Sequence, residues 1–394
     1  MKSIFVFVFC SFYSFQMMAQ DIWVQKDSVN GPPKGSCVSF VVEDEGFIAT
    51  GLNLDGDKRS MFSYNPNQDD WDDELSIAGE FGQGAERSSA VAFTIRNKAY
   101  VGTGKSATPF LGDFWEYDHQ TKTWTQKANF GGTPRRQAVA FSIDSLGYVG
   151  TGEDVNGVTN DFWAYNPNLN SWSQISNFPG NPRKQAVGLE MGNKGYVLTG
   201  YNGTFLKDMF AYNPELDSWE QKADFLGSPR YGATGFKAYP YLYVGTGYDN
   251  TLNYTKDMYA YNLDADQWNQ KIDFGGTARV NAVSFVLDGI AYLGTGYNGF
   301  YLDDFYSYNF VLGLYNEEHQ KKHLVVYPQP AKDHIYVENV NENINLYTIS
   351  GSCVTDLVEQ TVVNTSKIKL NLSQLNTGVY IYRSGNYSGK ILVN

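Results

Sequence analysis

Tyr100-Val101-Gly102-Thr103-Gly104 reads as a short strand closed by a glycine-threonine-glycine turn, and the chain carries it six times with small changes. The other copies are Phe47-Ile48-Ala49-Thr50-Gly51, Tyr148-Val149-Gly150-Thr151-Gly152, Tyr196-Val197-Leu198-Thr199-Gly200, Tyr243-Val244-Gly245-Thr246-Gly247 and Tyr292-Leu293-Gly294-Thr295-Gly296. Self-similarity at a period of about 48 residues signals a propeller or a solenoid.

Each copy continues into a second recurring strand that ends in an aromatic residue and Asn or Asp: Phe62-Ser63-Tyr64-Asn65, then 115–118, 163–166, 210–213, 259–262 and 306–309. Trp71, Trp124, Trp172, Trp219 and Trp268 follow the first five of these, and the sixth has no tryptophan. The missing piece is at the start of the repeat region, where Ile22-Trp23-Val24-Gln25-Lys26 matches Thr123-Trp124-Thr125-Gln126-Lys127. One blade is therefore expected to be built from both ends of the region. That arrangement closes a ring and protects strand edges from pairing with other chains. Aromatic residues alternate with small ones at the strand period, so packing between blades is their default role.

Gly132-Thr133-Pro134-Arg135, Gly180 to Arg183 and Gly227 to Arg230 enter the first strand of their repeats, and Gly276-Thr277-Ala278-Arg279 is a near copy. With these, the repeat resembles kelch. The resemblance covers about three quarters of the chain and implies an all-β, six-bladed kelch-type β-propeller over residues 21–315. Kelch repeats usually close the second strand with a glycine pair. Here Gly-Thr-Gly stands in that place, and a variant turn is expected.

Residues 1–20 combine Lys2, the apolar run Ile4 to Phe9 and an end at Met17-Met18-Ala19-Gln20, the pattern of a secretory signal peptide. Cys10 lacks the small neighbours of a lipoprotein motif. No other stretch has the roughly 18–20 apolar residues that cross a bilayer as a helix. Cys37 and Cys353 lie in different segments, so no disulfide framework is indicated. The formal net charge of −12 would repel polyanions and makes nucleic acid a poor partner.

A polar stretch at 316–323 reads as a linker. Beyond it, residues 324–394 change pattern to short alternating strands around Ile335-Tyr336-Val337, Ile344 to Tyr347, Lys367 to Leu372, Val379 to Tyr382 and Lys390 to Val393, a small antiparallel β-sandwich. The Tyr327-Pro328-Gln329-Pro330 start, Leu346-Tyr347 followed by Gly351, and Leu375-Asn376-Thr377-Gly378-Val379-Tyr380 resemble the C-terminal sorting domain of type IX secretion in Bacteroidetes. That resemblance implies the type IX machinery as a partner and export to the medium or the outer cell surface.

Copper or zinc chemistry needs imidazole or thiolate clusters. The four histidines are His119 in a blade turn, His319 and His323 in the linker and His334 in the tail, so no metal or cofactor is expected. A serine-histidine-acid triad cannot be assembled either. Gly294 to Gly299 spells a dinucleotide fingerprint and Gly104-Lys105-Ser106 mimics a phosphate loop, but both should be followed by a helix and instead precede a strand.

Binding is expected where the fourth-to-first and second-to-third strand loops open on one side of the disc. Candidate ligand-binding residues there are Arg135, Arg183, Arg230 and Arg279 from the first set, and Glu153, Tyr201, Tyr248, Asp249 and Tyr297 from the second. Phe110, Tyr254 and Phe300 share those loops. The arginines have a competing structural reading. Repeats two to six pair Arg at strand entry with Asp113, Asp161, Asp208, Asp257 or Asp304, whereas the first has Lys34 and Ser60. Tyrosine beside Asn and Asp suits a sugar or a protein partner alike. The expected role is an exported glycan- or protein-binding module. The alternatives are a mutarotase-like carbohydrate isomerase, since residues 131–138 are similar to a segment of sialic-acid mutarotases, and a structural adhesin component.

Overall fold

The computed structural model describes residues 21–78, 86–107, 110–309, 325–327, 331–338, 344–348, 354–364, 367–384 and 387–393. The signal-peptide reading, the 316–323 linker, Pro328 to Pro330, Cys10, Cys353, His319 and His323 lie outside the described residues. The chain divides into two compact units, Met1–Val311 and Leu312–Asn394.

In the first unit the described residues form six antiparallel sheets of four principal strands, one per repeat, besides two small loop hairpins. The sheet of the second repeat is typical, with strands Val91–Ile95, Lys98–Gly102, Phe114–Asp118 and Thr123–Lys127 paired in sequence order. The last sheet takes Val283–Leu287, Ile290–Gly294 and Phe305–Asn309, and its outer strand is Ile22–Lys26, paired antiparallel with Trp23 opposite Tyr308. The expected closure from both ends of the repeat region is thus present.

Two rings of backbone hydrogen bonds lock the sheets together around an axis. In the inner ring the N–H of Ser89 donates to Ser36, Gln137 to Ser89, Gln185 to Gln137, Gly232 to Gln185, Asn281 to Gly232 and Ser36 to Asn281, at 2.8–3.1 Å. In the outer ring the last glycine of each Gly-Thr-Gly turn donates to the next sheet. Gly51 reaches the carbonyl of Arg87, Gly104 that of Arg135, Gly152 that of Arg183, Gly200 that of Arg230, Gly247 that of Arg279 and Gly296 that of Lys34.

The turn is the variant that the sequence announced. Its threonines, Thr50, Thr103, Thr151, Thr199, Thr246 and Thr295, sit at φ of 56–61°, a region that β-branched residues avoid. From the second repeat to the sixth, the entry arginine donates Nη1 to the threonine carbonyl. In the third repeat Thr151 donates its N–H to the carbonyl of Asp161 at 3.1 Å and accepts Nη1 of Arg135 at 2.9 Å. The following Gly152 has φ of 97°, and a Cβ there would lie 2.8 Å from the carbonyl oxygen of Arg136, so only glycine fits.

Packing between neighbouring sheets follows the small-large alternation of the strands. A Cβ on Gly147 would overlap the Phe93 ring of the preceding sheet at 2.1 Å, so the missing side chain is the socket for that phenylalanine. The tryptophans hold the outer edge. Trp172 is half-buried, packs against Phe114, Phe130 and Tyr165, and donates Nε1 to the carbonyl of Ala128 at 3.2 Å. Six third-strand tyrosines are satisfied as well: Tyr64, Tyr165, Tyr212, Tyr261 and Tyr308 bond to Asp69, Asn170, Asp217, Asp266 and Asp21 in turn, and Tyr117 reaches Glu74.

The second unit has a four-stranded sheet, Val325–Tyr327, His334–Glu338, Lys367–Asn371 and Glu359–Asn364, and a three-stranded one, Asn345–Thr348, Gly378–Ser384 and Tyr387–Val393. Ile335, Val337, Ile344, Leu346, Leu370, Leu372 and Ile391 form one buried core with residues of both sheets. The single helix among the described residues is the 3-10 turn Thr355–Leu357, so neither nucleotide-like motif is followed by a helix. No described helix is long and apolar enough to cross a membrane.

Candidate functional site

The loops between second and third strands and those entering the first strands meet at one end of the repeat unit. The residue after each entry arginine or lysine pairs with the first residue after each Gly-Thr-Gly turn: Gly35 with Leu52, Ser88 with Lys105, Arg136 with Glu153, Lys184 with Tyr201, Tyr231 with Tyr248 and Val280 with Tyr297. Because the sheets follow one another in a ring, these pairs surround the axial mouth. They divide it into a charged side and an aromatic side.

On the aromatic side the rings form a continuous arc over three consecutive sheets. Tyr201 contacts Phe205 at 5.3 Å and Tyr231 at 5.5 Å, and Phe205 stacks on Tyr231 at 5.5 Å with planes 16° apart. Tyr231 leads to Tyr248 at 5.5 Å, Tyr248 to Tyr254 at 5.2 Å, Tyr254 to Tyr297 at 6.2 Å and Tyr297 to Tyr301 at 5.1 Å. All of these side chains are half-buried and keep part of each ring at the surface. Burial, then the neighbouring phenols, pushes the Tyr231 and Tyr254 hydroxyls up from the usual tyrosine range and keeps them neutral donors.

Past Tyr301 the arc runs into a cleft of about 440 Å³ lined by Pro32, Pro33, Asn53, Leu54, Asp55, Tyr297, Gly299, Phe300 and Tyr301. At the other end of the arc is the charged side. Glu153 accepts from Arg136 Nε at 2.8 Å and from Lys184 Nζ at 2.7 Å, bridging two sheets, and Arg136 lies over the Phe110 ring at 5.4 Å. Burial by itself would raise the Glu153 carboxyl. The hydrogen bonds and charges of Lys184 and Arg136 outweigh burial and hold it below the ordinary glutamate range.

The structure separates the residues expected to bind. Tyr201, Tyr248 and Tyr297 are brought together on the arc. Glu153 stands beside it in an ion cluster. Arg135, Arg183, Arg230 and Arg279 are 0–1% exposed and lie beneath the face, so they do not line it. Each grips the aspartate at its own third-strand entry: Arg135 to Asp161 at 2.6 and 2.8 Å, Arg183 to Asp208 at 2.7 Å twice, Arg230 to Asp257 at 2.6 and 2.7 Å, and Arg279 to Asp304 at 2.5 and 2.7 Å. Their remaining donors go to threonine carbonyls and to the entry loop, leaving Arg135, Arg230 and Arg279 without a spare N–H for a ligand. The exchange in the first repeat keeps the contact in reduced form, with Lys34 Nζ donating to Ser60 Oγ at 3.3 Å.

Asp249 is likewise inward and 8% exposed. Its carboxylate accepts from Thr251 N–H and hydroxyl, from Asn253 N–H and from the Ser228 hydroxyl, so it braces its loop instead of facing a ligand. Phe205, Tyr231, Tyr301, Arg136 and Lys184 are the members that the repeat pattern alone passed over. Tyr231 was detectable as the one aromatic residue following an entry arginine.

A larger cleft of about 620 Å³ lies at the turns of the opposite end, lined by Lys98, Tyr100, Glu116, Asp118, Lys127 and Pro167 among others. Its acids are already matched: Glu116 accepts from Lys98 at 2.8 Å, from Tyr100 at 2.7 Å and lies 3.2 Å from Lys127, and Asp118 lies 3.2 Å from Lys98. No group of three or more His, Cys, Asp or Glu side chains able to hold a metal occurs among the described residues.

Comparison with known families decides the classification. The model of the KLHDC2/KLHL20/DRC7 Kelch-repeats domain matches residues 36–229, and that of the secretion system C-terminal sorting domain matches residues 325–393. The chain is a kelch-repeat protein with a type IX sorting tail. A solved structure titled "Structure of YjhT" is similar to this kelch protein with a TM-score of 0.59 at 16% identity, covering 71% of this chain and 96% of the other. At that identity the likeness supports the propeller fold alone. No curated protein matches the chain. The sorting tail marks the kelch protein for export, to be secreted or attached at the cell surface.

Proposed function

We propose that the kelch unit is an exported binding module that takes a glycan on its aromatic arc. The observation that carries this reading is the difference between two classes of tyrosine. The six tyrosines that precede the terminal Asn or Asp of each third strand, Tyr64, Tyr117, Tyr165, Tyr212, Tyr261 and Tyr308, donate their hydroxyls to Asp, Glu or Asn within the fold. The arc tyrosines Tyr201, Tyr231, Tyr248, Tyr254, Tyr297 and Tyr301 have no such partner among the described residues, although their rings are packed in place. A fixed ring with a free hydroxyl offers a stacking face for sugar C–H groups and a hydrogen bond for sugar hydroxyls. Loops on a rigid scaffold are also the usual seat of recognition.

The isomerase reading finds less support. Of the two carboxylates expected to bind, Asp249 is consumed in bracing its loop, and the clamp of Glu153 by Arg136 and Lys184 keeps it ionised, which removes it as a general acid near neutral pH.

A glycan-array screen of the purified protein tests the proposal, followed by titration of any hit against Tyr201→Ala, Tyr248→Ala and Tyr297→Ala. Saturable binding weakened at least tenfold by these changes with melting unchanged is the expected result. Absence of glycan binding across the array rejects it and directs the search to protein partners at the cell surface.

A further inference from the structure

We propose that the ligand is a neutral linear polysaccharide lying as an extended chain across the sheets, from Phe205 to the Pro32-Pro33-Phe300 cleft, and that the axial mouth is not its seat. This rests on the glycan reading above and adds shape, length and charge to it.

The first argument is continuity. The arc passes from Phe205 and Tyr231 through Tyr248, Tyr254 and Tyr297 to Tyr301 with neighbouring rings 5.1–6.2 Å apart, and so runs tangentially around the mouth. It then enters the cleft of about 440 Å³, whose far wall of Pro32, Pro33 and Leu54 belongs to the next sheet round the ring. Phe300 at 80% and Leu54 at 94% exposure stand on the rim as open apolar edges. A surface of this form exceeds what one sugar covers. Each half-exposed ring contributes modestly, so affinity has to accumulate along a chain.

The second argument is the floor of the mouth. The inner hydrogen-bond ring of Ser36, Ser89, Gln137, Gln185, Gly232 and Asn281 narrows it, and the hollow there is about 150 Å³. That is below the roughly 300–1,000 Å³ typical of sites that engulf a small ligand.

The third argument is charge. The cations Arg136 and Lys184 sit at one end of the arc and are engaged by Glu153. Along the arc itself, Asp249 is consumed in bracing its loop. The groups left to meet a ligand along the arc are phenol hydroxyls and ring faces, and the cleft adds the exposed Asp55, 4.0 Å from Lys58. Asn53, Asn202 and Asn298 turn their Oδ1 atoms inward to cap the loops they begin; Asn298 Nδ2 donates to Thr277 Oγ1 at 3.2 Å and Asn53 is buried, so Asn202 keeps the amide nitrogen that faces away from its cap. A ligand with a charge on every unit would find no row of counter-charges there, only the Asp55–Lys58 pair at one end.

The test is calorimetric titration of the protein with neutral gluco-, xylo- and manno-oligosaccharides of one to six units, together with polygalacturonate. In the series that binds, affinity is expected to rise at least tenfold from two units to six. Tyr231→Ala should weaken both lengths, whereas Phe300→Ala should weaken the hexamer at least fivefold and leave the dimer unchanged. Phe300 is too exposed for its removal to unfold the protein, and an unchanged melting curve checks this. Equal affinity for dimer and hexamer, a hexamer indifferent to Phe300→Ala, or preference for polygalacturonate overturns the track while leaving the glycan reading intact. Absence of binding in every series and on the array overturns both.

Discussion

Trp23 lies opposite Tyr308 in the pairing of the first and last strands of the kelch unit, with ring centroids 4.7 Å apart and 285 positions of sequence between them. Tyr308 also donates its hydroxyl to Asp21 at 2.7 Å, so both ends of this unit are held by one contact. A chain beginning at Ser28 is expected to lose this strand and leave Phe305–Asn309 as an open edge. Its melting temperature should fall by about 10 °C or more, and it should aggregate on heating, as an unprotected edge invites. Scanning calorimetry with light scattering checks this; unchanged melting would mean that the strand is dispensable to the ring.

Removing one partner of a buried ion pair leaves the other uncompensated, a loss of about 3–5 kcal/mol. Arg135→Ala should therefore destabilise the kelch unit by about that amount without altering ligand binding except through folding. The first repeat supplies a natural control in Lys34 and Ser60. The double change Arg135→Lys with Asp161→Ser should be less destabilising than Arg135→Ala. Denaturant titration of the three proteins decides it.

Asp113 and Asp161 give the fold an acid limit. Burial works to raise their carboxyl pKa values, and the hydrogen bonds and charges of Arg87 and Arg135 overcome it and hold both below the usual aspartate value. A folded-state pKa below the unfolded one contributes stability that is complete above the unfolded value, about 3.9 for aspartate, and is lost as pH falls through the folded value. Melting temperature should be flat from about pH 8 to 5 in this respect and drop steeply below about pH 4. Asp161→Asn should show a smaller drop than the parent protein over the same acid range.

Cys37 occupies a position filled by Ala90, Ala138, Ala186, Ala233 and Ala282 in the other repeats, and it is a free thiol. Burial pushes its pKa up to about 11. Thiol reagents should label it slowly at pH 8 in the folded protein and rapidly after unfolding. Cys37→Ala should change stability by less than about 1 kcal/mol, the usual scale for a well-tolerated substitution.

Trp172→Ala removes a half-buried indole that touches Phe114, Phe130 and Tyr165. A loss of about 3 kcal/mol is expected, the lower end of the range for truncating a large aromatic. Urea unfolding followed by circular dichroism measures it, and an unchanged midpoint would exclude a packing role.

The architecture was legible in the sequence because each repeat carries its own local physics. The Gly-Thr-Gly turn, the small residue facing a phenylalanine and the tryptophan after the aromatic strand all act within one sheet or against the next, so their spacing is visible in one dimension. The stray Ile22–Lys26 segment even announced how the ring closes. The arginine-aspartate partnership was legible for the same reason, through the matched loss of both in the first repeat. What the sequence left open was which side of that partnership faces water. Burial of Arg135 and Asp249 depends on side chains arriving from other strands, and only the assembled loops decide it. The same holds for the arc: Tyr201, Tyr231, Tyr248 and Tyr297 belong to three repeats, and no spacing rule joins them. Repeats determine the strands and their order, whereas the ring brings corresponding loop positions to one rim and thereby turns scattered tyrosines into a single surface.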